Sequence, residues 1–138
     1  VKQRVGAYAV VVDGGQVLLA HWATRGQWTM PGGGIDPGED PQDAVVREVA
    51  EETGYDVEVD ELLGIDSEVV PALSGGELWH ALRVVYRVHV VGGALRDEVD
   101  GSTDRAAWFG LDDLDGLPRA PFVGTALRLA GLLPAAPA

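Results

Sequence analysis

Glu48, Glu51 and Glu52 stand at i, i+3 and i+4 of the segment AVVREVAEETG, directly after the glycine-rich run MPGGGIDPGEDP. On a helix, like charges at this spacing repel by about 0.2–0.5 kcal/mol per i,i+4 pair, and a face that only needed solvation would interleave lysines. At about 100° per residue the three acids share an arc of about 100°. Ala44 lies among them, and Val45, Val46, Val49 and Ala50 take the opposite side, which is the side expected to dock on a sheet. Carbonyls of the preceding loop can reach the same point as the carboxylates. Such an oxygen-rich set favours a hard divalent cation, Mg²⁺ or Mn²⁺. A cation of this kind neutralises phosphate oxygens and lowers the pKa of a bound water, whose proton a further carboxylate can take. Arg47, one turn before Glu51, is placed to pair with a carboxylate and orient it.

The elements around these residues follow from local pattern. Asp40 reads as an N-cap, Pro41 fits the first helical position where its missing N–H costs nothing, and Gly54 fits the C′ position. VGAYAVVVDGGQVLLAHW predicts two strands joined as a hairpin at Asp13-Gly14-Gly15. The run from Ala23 to Asp40 holds too many Pro and Gly residues for a long helix or strand and reads as a functional loop. Strands are expected over Val57 to Val70, over Leu78 to Val91 and at Ala106 to Phe109, then a tight turn or short helix in LDDLDGLP and a last helix from Phe122 to Leu132. Mixed strands and helices predict an α/β fold, a mixed sheet covered by helices.

At 138 residues the chain reads as one domain, residues 1–133, with a frayed tail at 134–138. It contains no cysteine, which excludes disulfides and thiolate metal sites. The net charge of −12, with ten Lys and Arg, argues against nucleic acid as a partner. No stretch is apolar for the roughly 20 residues a membrane span needs, and no secretory pattern opens the chain, so the expectation is a cytoplasmic protein without membrane contact.

Gly33, Glu39, Arg47-Glu48-Val49, Glu51-Glu52, Gly54 and Tyr55 fill the pattern G-x5-E-x7-R-E-U-x-E-E-x-G-U, where U is a bulky aliphatic residue. The chain thus resembles the Nudix hydrolase family, with Tyr55 as the one departure. QWTMPGGG before this box and AAWFGLDDL after it extend the likeness to small members of that family. The resemblance implies a Nudix-type α/β/α sandwich that hydrolyses a pyrophosphate linkage in a nucleoside diphosphate joined to another moiety. It implies metal ligation by Glu48, Glu51, Glu52 and the Gly33 carbonyl, Glu48 as a candidate for orienting or deprotonating the attacking water, and Glu39 and Arg47 as supports of the loop–helix junction. Many members add an acid shortly before the tryptophan of the last strand. Arg105 occupies the aligned position here, which leaves Asp104 and Glu98 as the candidates.

Substrate contacts are expected from Trp28 beside the loop, from His80, and from Arg25 and Arg83. Core packing and ordinary ion pairs are the competing readings for these four, and for Trp22, Trp79, Trp108, His21 and His89 core or strand packing is the first reading. Pro71 lies sixteen residues after Tyr55, a spacing that marks a group of ADP-ribose pyrophosphatases, while the compact chain equally suits enzymes acting on nucleoside triphosphates, oxidised ones included. A catalytically silent Nudix sensor that binds a nucleotide or metabolite is the alternative function. The expected partner is a small-molecule nucleotide, with the protein a monomer or homodimer.

Overall fold

A computed structural model describes residues 1–71 and 75–134. Its strands are β1 (Lys2–Val10), β2 (Val12–Asp13), β3 (Gln16–Trp22), β4 (Gln27–Thr29), β5 (Gly32–Gly34), β6 (Tyr55–Pro71), β7 (Leu78–Gly93) and β8 (Thr103–Gly110). Helix α1 spans Pro41–Thr53 and α2 spans Pro121–Leu129, with one 3₁₀ turn at Leu111–Asp113. The strands form two sheets: one in the order β5-β1-β7-β6, with β1 parallel to β7, and one in which β3 pairs with β2, β4 and β8.

The N-terminal hairpin differs from its expected form. Only the two-residue β2 returns against β3, whereas β1 belongs to the other sheet, between β5 and β7. The apolar run VVV at Val10–Val12 contains the crossing, and burial explains it. Val10 joins one core cluster and Val11 the other, as Leu19 and Leu18 do on β3, so alternate side chains face opposite layers. The first cluster lies under Phe122, Val123, Ala126 and Leu127 of α2, and the second under Ala44, Val45 and Val49 of α1. Each of these Val and Leu side chains contributes about 1.5–3 kcal/mol when fully buried. The sheets are thereby held between two helices, as the sequence predicts.

Helix α1 is capped as expected: the Asp40 side chain accepts from Gln42 N–H at 3.0 Å, and Gly54 ends the helix at φ +84°. Helix α2 stops three residues before its expected end, because Gly131 adopts φ +73° and the Leu132 N–H turns back to the Leu127 carbonyl at 2.9 Å. That turn lets Leu132 and Leu133 pack on the first cluster. The tail expected to fray lies, from Ala135 on, outside the described residues. No described helix is long and apolar enough to cross a membrane.

Candidate active site

The glycine-rich loop is pinned on both sides. Short strand β5 pairs with β1 at Gly6↔Gly34, Ala7↔Gly33 and Tyr8↔Gly32, and the Gly32 N–H donates to Glu52 Oε2 at 2.9 Å. Glycine is required at Gly32, where φ is +147° and a Cβ would collide with the Ala7 carbonyl oxygen, and a Cβ at Gly33 would sit 2.8 Å from the Glu48 carboxylate. The loop backbone therefore abuts the acids of α1.

Arg47 ties loop and helix together. Its Nε donates to Glu39 Oε2 at 2.8 Å, and its two terminal nitrogens donate to Glu39 Oε1 at 2.9 Å, the Gly34 carbonyl at 3.1 Å, Glu48 at 3.0 Å and Glu51 at 3.4 Å. This bidentate grip pulls the Glu39 carboxyl down to about 2, with help from the Asp36 N–H. Gln at 39, or Lys at 47, would lose the fork geometry.

The three helix acids share one arc, as the helix projection predicts, but differ sharply in exposure. Glu51 is half exposed, Glu48 is largely covered, and Glu52 is buried at 3% exposure beneath the loop. Burial raises the pKa of Glu48, against the opposing pull of Arg47. Burial raises Glu52 further still; the Gly32 N–H offsets this only in part, and Glu48, Glu98 and Glu51 add to it. Among the described residues no three acid or histidine side chains converge into a preformed cage, since Arg47 draws on Glu48 and Glu51 while Glu52 faces Gly32. The donor set still fits a hard divalent ion: only oxygen ligands, more carboxylates than cations, two of them held at a desolvation cost that a cation would relieve, and loop backbone against them.

The two candidates for the additional acid separate clearly. The charge of Glu98 adds to the upward shift of both Glu48 and Glu52, and that of Asp104 figures in neither. The Glu98 carboxylate accepts from the buried Thr103 hydroxyl at 2.8 Å, and a side chain at Gly101 would collide with it. The segment carrying it is fastened to the end of α1, where Arg96 donates its N–H to the Thr53 carbonyl and its guanidinium to Ala50 O. Asp104 instead bonds His21 Nδ1 at 2.7 Å, which lowers its pKa. Arg105, at the position the family alignment indicated, stacks over Trp28 at 5.1 Å.

A cavity of about 380 Å³ opens beside Gly32, Gly33 and Glu52 between the two sheets. Arg4, Arg25 and Arg83 line it. Arg83 also pairs with Asp66 at 2.8 Å and Glu68 at 3.3 Å, and Arg25 reaches the Pro71 carbonyl at 3.4 Å. Trp28 and His80 are corrections to the expected lining. Trp28 is 7% exposed and packs edge-on against Phe109 at 4.7 Å, because on β4 its neighbour Thr29 takes the cavity side. His80 lies between the lining residues Trp79 and Ala81 on β7 and bonds Ser67 and Gln3 instead. Trp22 and Trp79, first read as core packing, belong to neither core cluster and line the cavity, as do Arg4 and Tyr8, which the sequence does not single out. Strand alternation was the signal that would have exchanged His80 for Trp79 and Trp28 for Thr29.

Tyr55, the departure from the box pattern, has a local reason: its hydroxyl accepts from Trp108 Nε1 at 3.1 Å, joining α1's end to β8. A family model for the NUDIX domain matches residues 2–128. The solved MutT NUDIX hydrolase from Burkholderia pseudomallei superposes with a TM-score of 0.75 at 32% identity, over 94% of this chain and 98% of that one. An ADP-ribose pyrophosphatase of Methanocaldococcus jannaschii is 36% identical over 122 residues, 83% of this chain and 67% of the relative. An 8-oxo-dGDP phosphatase of Homo sapiens is 34% identical over 99 residues, 68% of this chain and 28% of the relative. The chain spans 26% to 41% of the length of three further curated relatives. With its box residues gathered on one loop–helix junction and a family match over nearly its whole length, this chain belongs to the Nudix family.

Proposed function

We propose that the chain hydrolyses the pyrophosphate linkage of a nucleoside diphosphate joined to a second moiety, with Mg²⁺ as the working metal and Mn²⁺ as a substitute. The observation that carries this reading is the meeting of unlike charge. Glu48 and Glu51 share one counter-cation, Arg47, and Glu52 has only the Gly32 N–H, at the end of a cavity lined by Arg4, Arg25 and Arg83. Arginines bind phosphate oxygens by charge-assisted hydrogen bonds. An acid-rich wall beside them is tolerable for a polyanion only with divalent metal.

Glu48, Glu51, Glu52 and the Gly33 carbonyl would hold the metal. When bound, it neutralises phosphate oxygens and acidifies a coordinated water. Arg47 keeps Glu48 and Glu51 aimed from one side, and Glu39 holds Arg47 in place. Glu98, supported by Thr103, accepts the proton of the attacking water at its carboxylate. Arg4 and Arg83 bind the phosphates and orient the linkage.

The names carried by the relatives support two substrate classes, ADP-ribose-like compounds and oxidised nucleotides. A phosphate-release screen with Mg²⁺ across ADP-ribose, dinucleoside polyphosphates, sugar nucleotides and ordinary and oxidised nucleoside triphosphates tests the proposal. Glu52→Gln and Glu51→Gln serve as controls. The expected result is one clear substrate class, with turnover reduced at least about a hundredfold in both variants. Nucleotide binding without turnover on any member would replace this reading with the sensor.

A further inference from the structure

The four tryptophans divide into two kinds. Trp28 belongs to the first core cluster, and Trp108 packs on the second and spends its N–H on Tyr55. Trp22 and Trp79 belong to neither cluster, are only partly buried, and line the same cavity. They come from facing sheets, Trp22 from β3 and Trp79 from β7. Each ring carries a cation: Arg25 lies 4.8 Å from Trp22 and Lys2 lies 5.6 Å from Trp79.

We infer that Trp22 and Trp79 are the two walls of a slot that holds the substrate's nucleobase by its faces and leaves its edges unread, so that adenine and guanine nucleotides are accepted alike. This rests on the proposed reading of the neighbouring acids as the site of phosphate cleavage. The β1–β7 register orders the groups along the cavity. Trp79 pairs with Lys2, Arg4 follows opposite Ala81, Arg83 follows opposite Gly6, and Tyr8 then meets Gly32, whose N–H holds Glu52. Stacking surface, arginines and carboxylate thus succeed one another as base, phosphates and cleaved linkage do in a nucleotide.

The chemistry of the lining decides for faces over edges. Telling one base edge from another takes side chains that hold a donor and an acceptor in fixed relation, as amides do, whereas the hydroxyls of Tyr8, Thr29 and Ser102 in this lining rotate to donate or accept and so suit either base. The chain has no asparagine, and among the described lining residues there is no Gln, Asp or His. The one acid, Glu52, lies at the opposite end with the Gly32 N–H. Stacking on aromatic rings binds any base through its π face and is tolerant of its identity.

Calorimetric titration of ADP, GDP and ribose 5-phosphate in Mg²⁺ tests the slot, alongside KM and kcat on whichever substrate the screen identifies. Wild type is expected to bind ADP and GDP within about threefold of each other, and Trp22→Ala and Trp79→Ala each to weaken both at least about tenfold. Phe at either position should restore most of the loss, ribose 5-phosphate binding should stay unchanged, and the Ala variants should raise KM with kcat held within about threefold. Alanine variants that bind ADP as wild type does, that weaken ribose 5-phosphate equally, or a wild type that separates ADP from GDP by more than about thirtyfold, would overturn it. A wild type that binds ADP but turns over nothing defeats the proposed hydrolysis alone, and the same binding ratios still decide the slot.

Discussion

Along β6 the acids meet cations across the strand: Asp66 and Glu68 share Arg83, Glu61 meets Arg87 at 3.1 Å, and Asp60 meets His89 at 2.7 Å. On α1 and its loop, Asp36, Glu39, Glu48 and Glu51 all draw on Arg47, and Glu52 is buried with no cation among its hydrogen-bond partners. Both regions are rich in Asp and Glu, yet on β6 no cation serves more than two of these acids, while four on α1 and its loop crowd one arginine. The paired acids of β6 hold a long hairpin in register. Unbalanced acids cost stability, and such a cost persists where something outside the chain relieves it.

The largest effects that sharpen this contrast belong to acids near the unbalanced cluster. Glu98→Gln is expected to lower kcat about a hundredfold, whereas Asp104→Asn, which loses only a contact to His21, should stay within about threefold. The reverse order would move the proton acceptor to Asp104.

A smaller effect should appear in the acid stability of the loop–helix junction. Arg47 holds Glu39 at about 2 against an ordinary value of 4.5, so the folded chain keeps this carboxylate ionised where the unfolded chain has already taken a proton. The stabilisation is full above 4.5 and is lost as pH falls toward 2. The gap in Tm between wild type and Glu39→Gln should therefore be constant above pH 4.5 and narrow below it. A gap unchanged through that window would contradict the assignment. The smallest effect is on β6: Glu61→Gln removes an exposed ion pair to Arg87 and should change stability by less than about 1 kcal/mol, with activity unaltered. A loss of activity there would erase the distinction between the two regions.

The junction was legible in the sequence because its signals are local. Asp40, Pro41 and Gly54 mark the ends of α1, and the box spacing places Gly33, Glu39 and Arg47 around it. What the sequence left open depends on distant pairing. The crossing of the chain from β1 to β2 turns on which of Val10 and Val11 faces which helix, and Glu98 could be separated from Asp104 only once the segment after β7 was fastened over α1. Trp28 lies beside the loop in sequence and His80 lies in the LWHALR strand, but in a strand the adjacent residue faces the other way, and Thr29 and Trp79 hold the cavity side. The buried state of Glu52 was likewise hidden, since helical projection gives an angle and not what lies above it.

Thermal unfolding with and without Mg²⁺, on wild type and Glu52→Gln at neutral pH, tests most directly whether the α1 acids are held against a cost that a metal relieves. Burial sets the Glu52 pKa above its unfolded value, so between the two values the fold retains a proton the unfolded chain has shed, and stability falls as pH rises through that range. Without metal, Glu52→Gln should therefore melt above wild type. Millimolar Mg²⁺ should raise the wild-type Tm and leave the variant nearly unmoved. Equal shifts in both proteins, or no shift in wild type, would contradict the account.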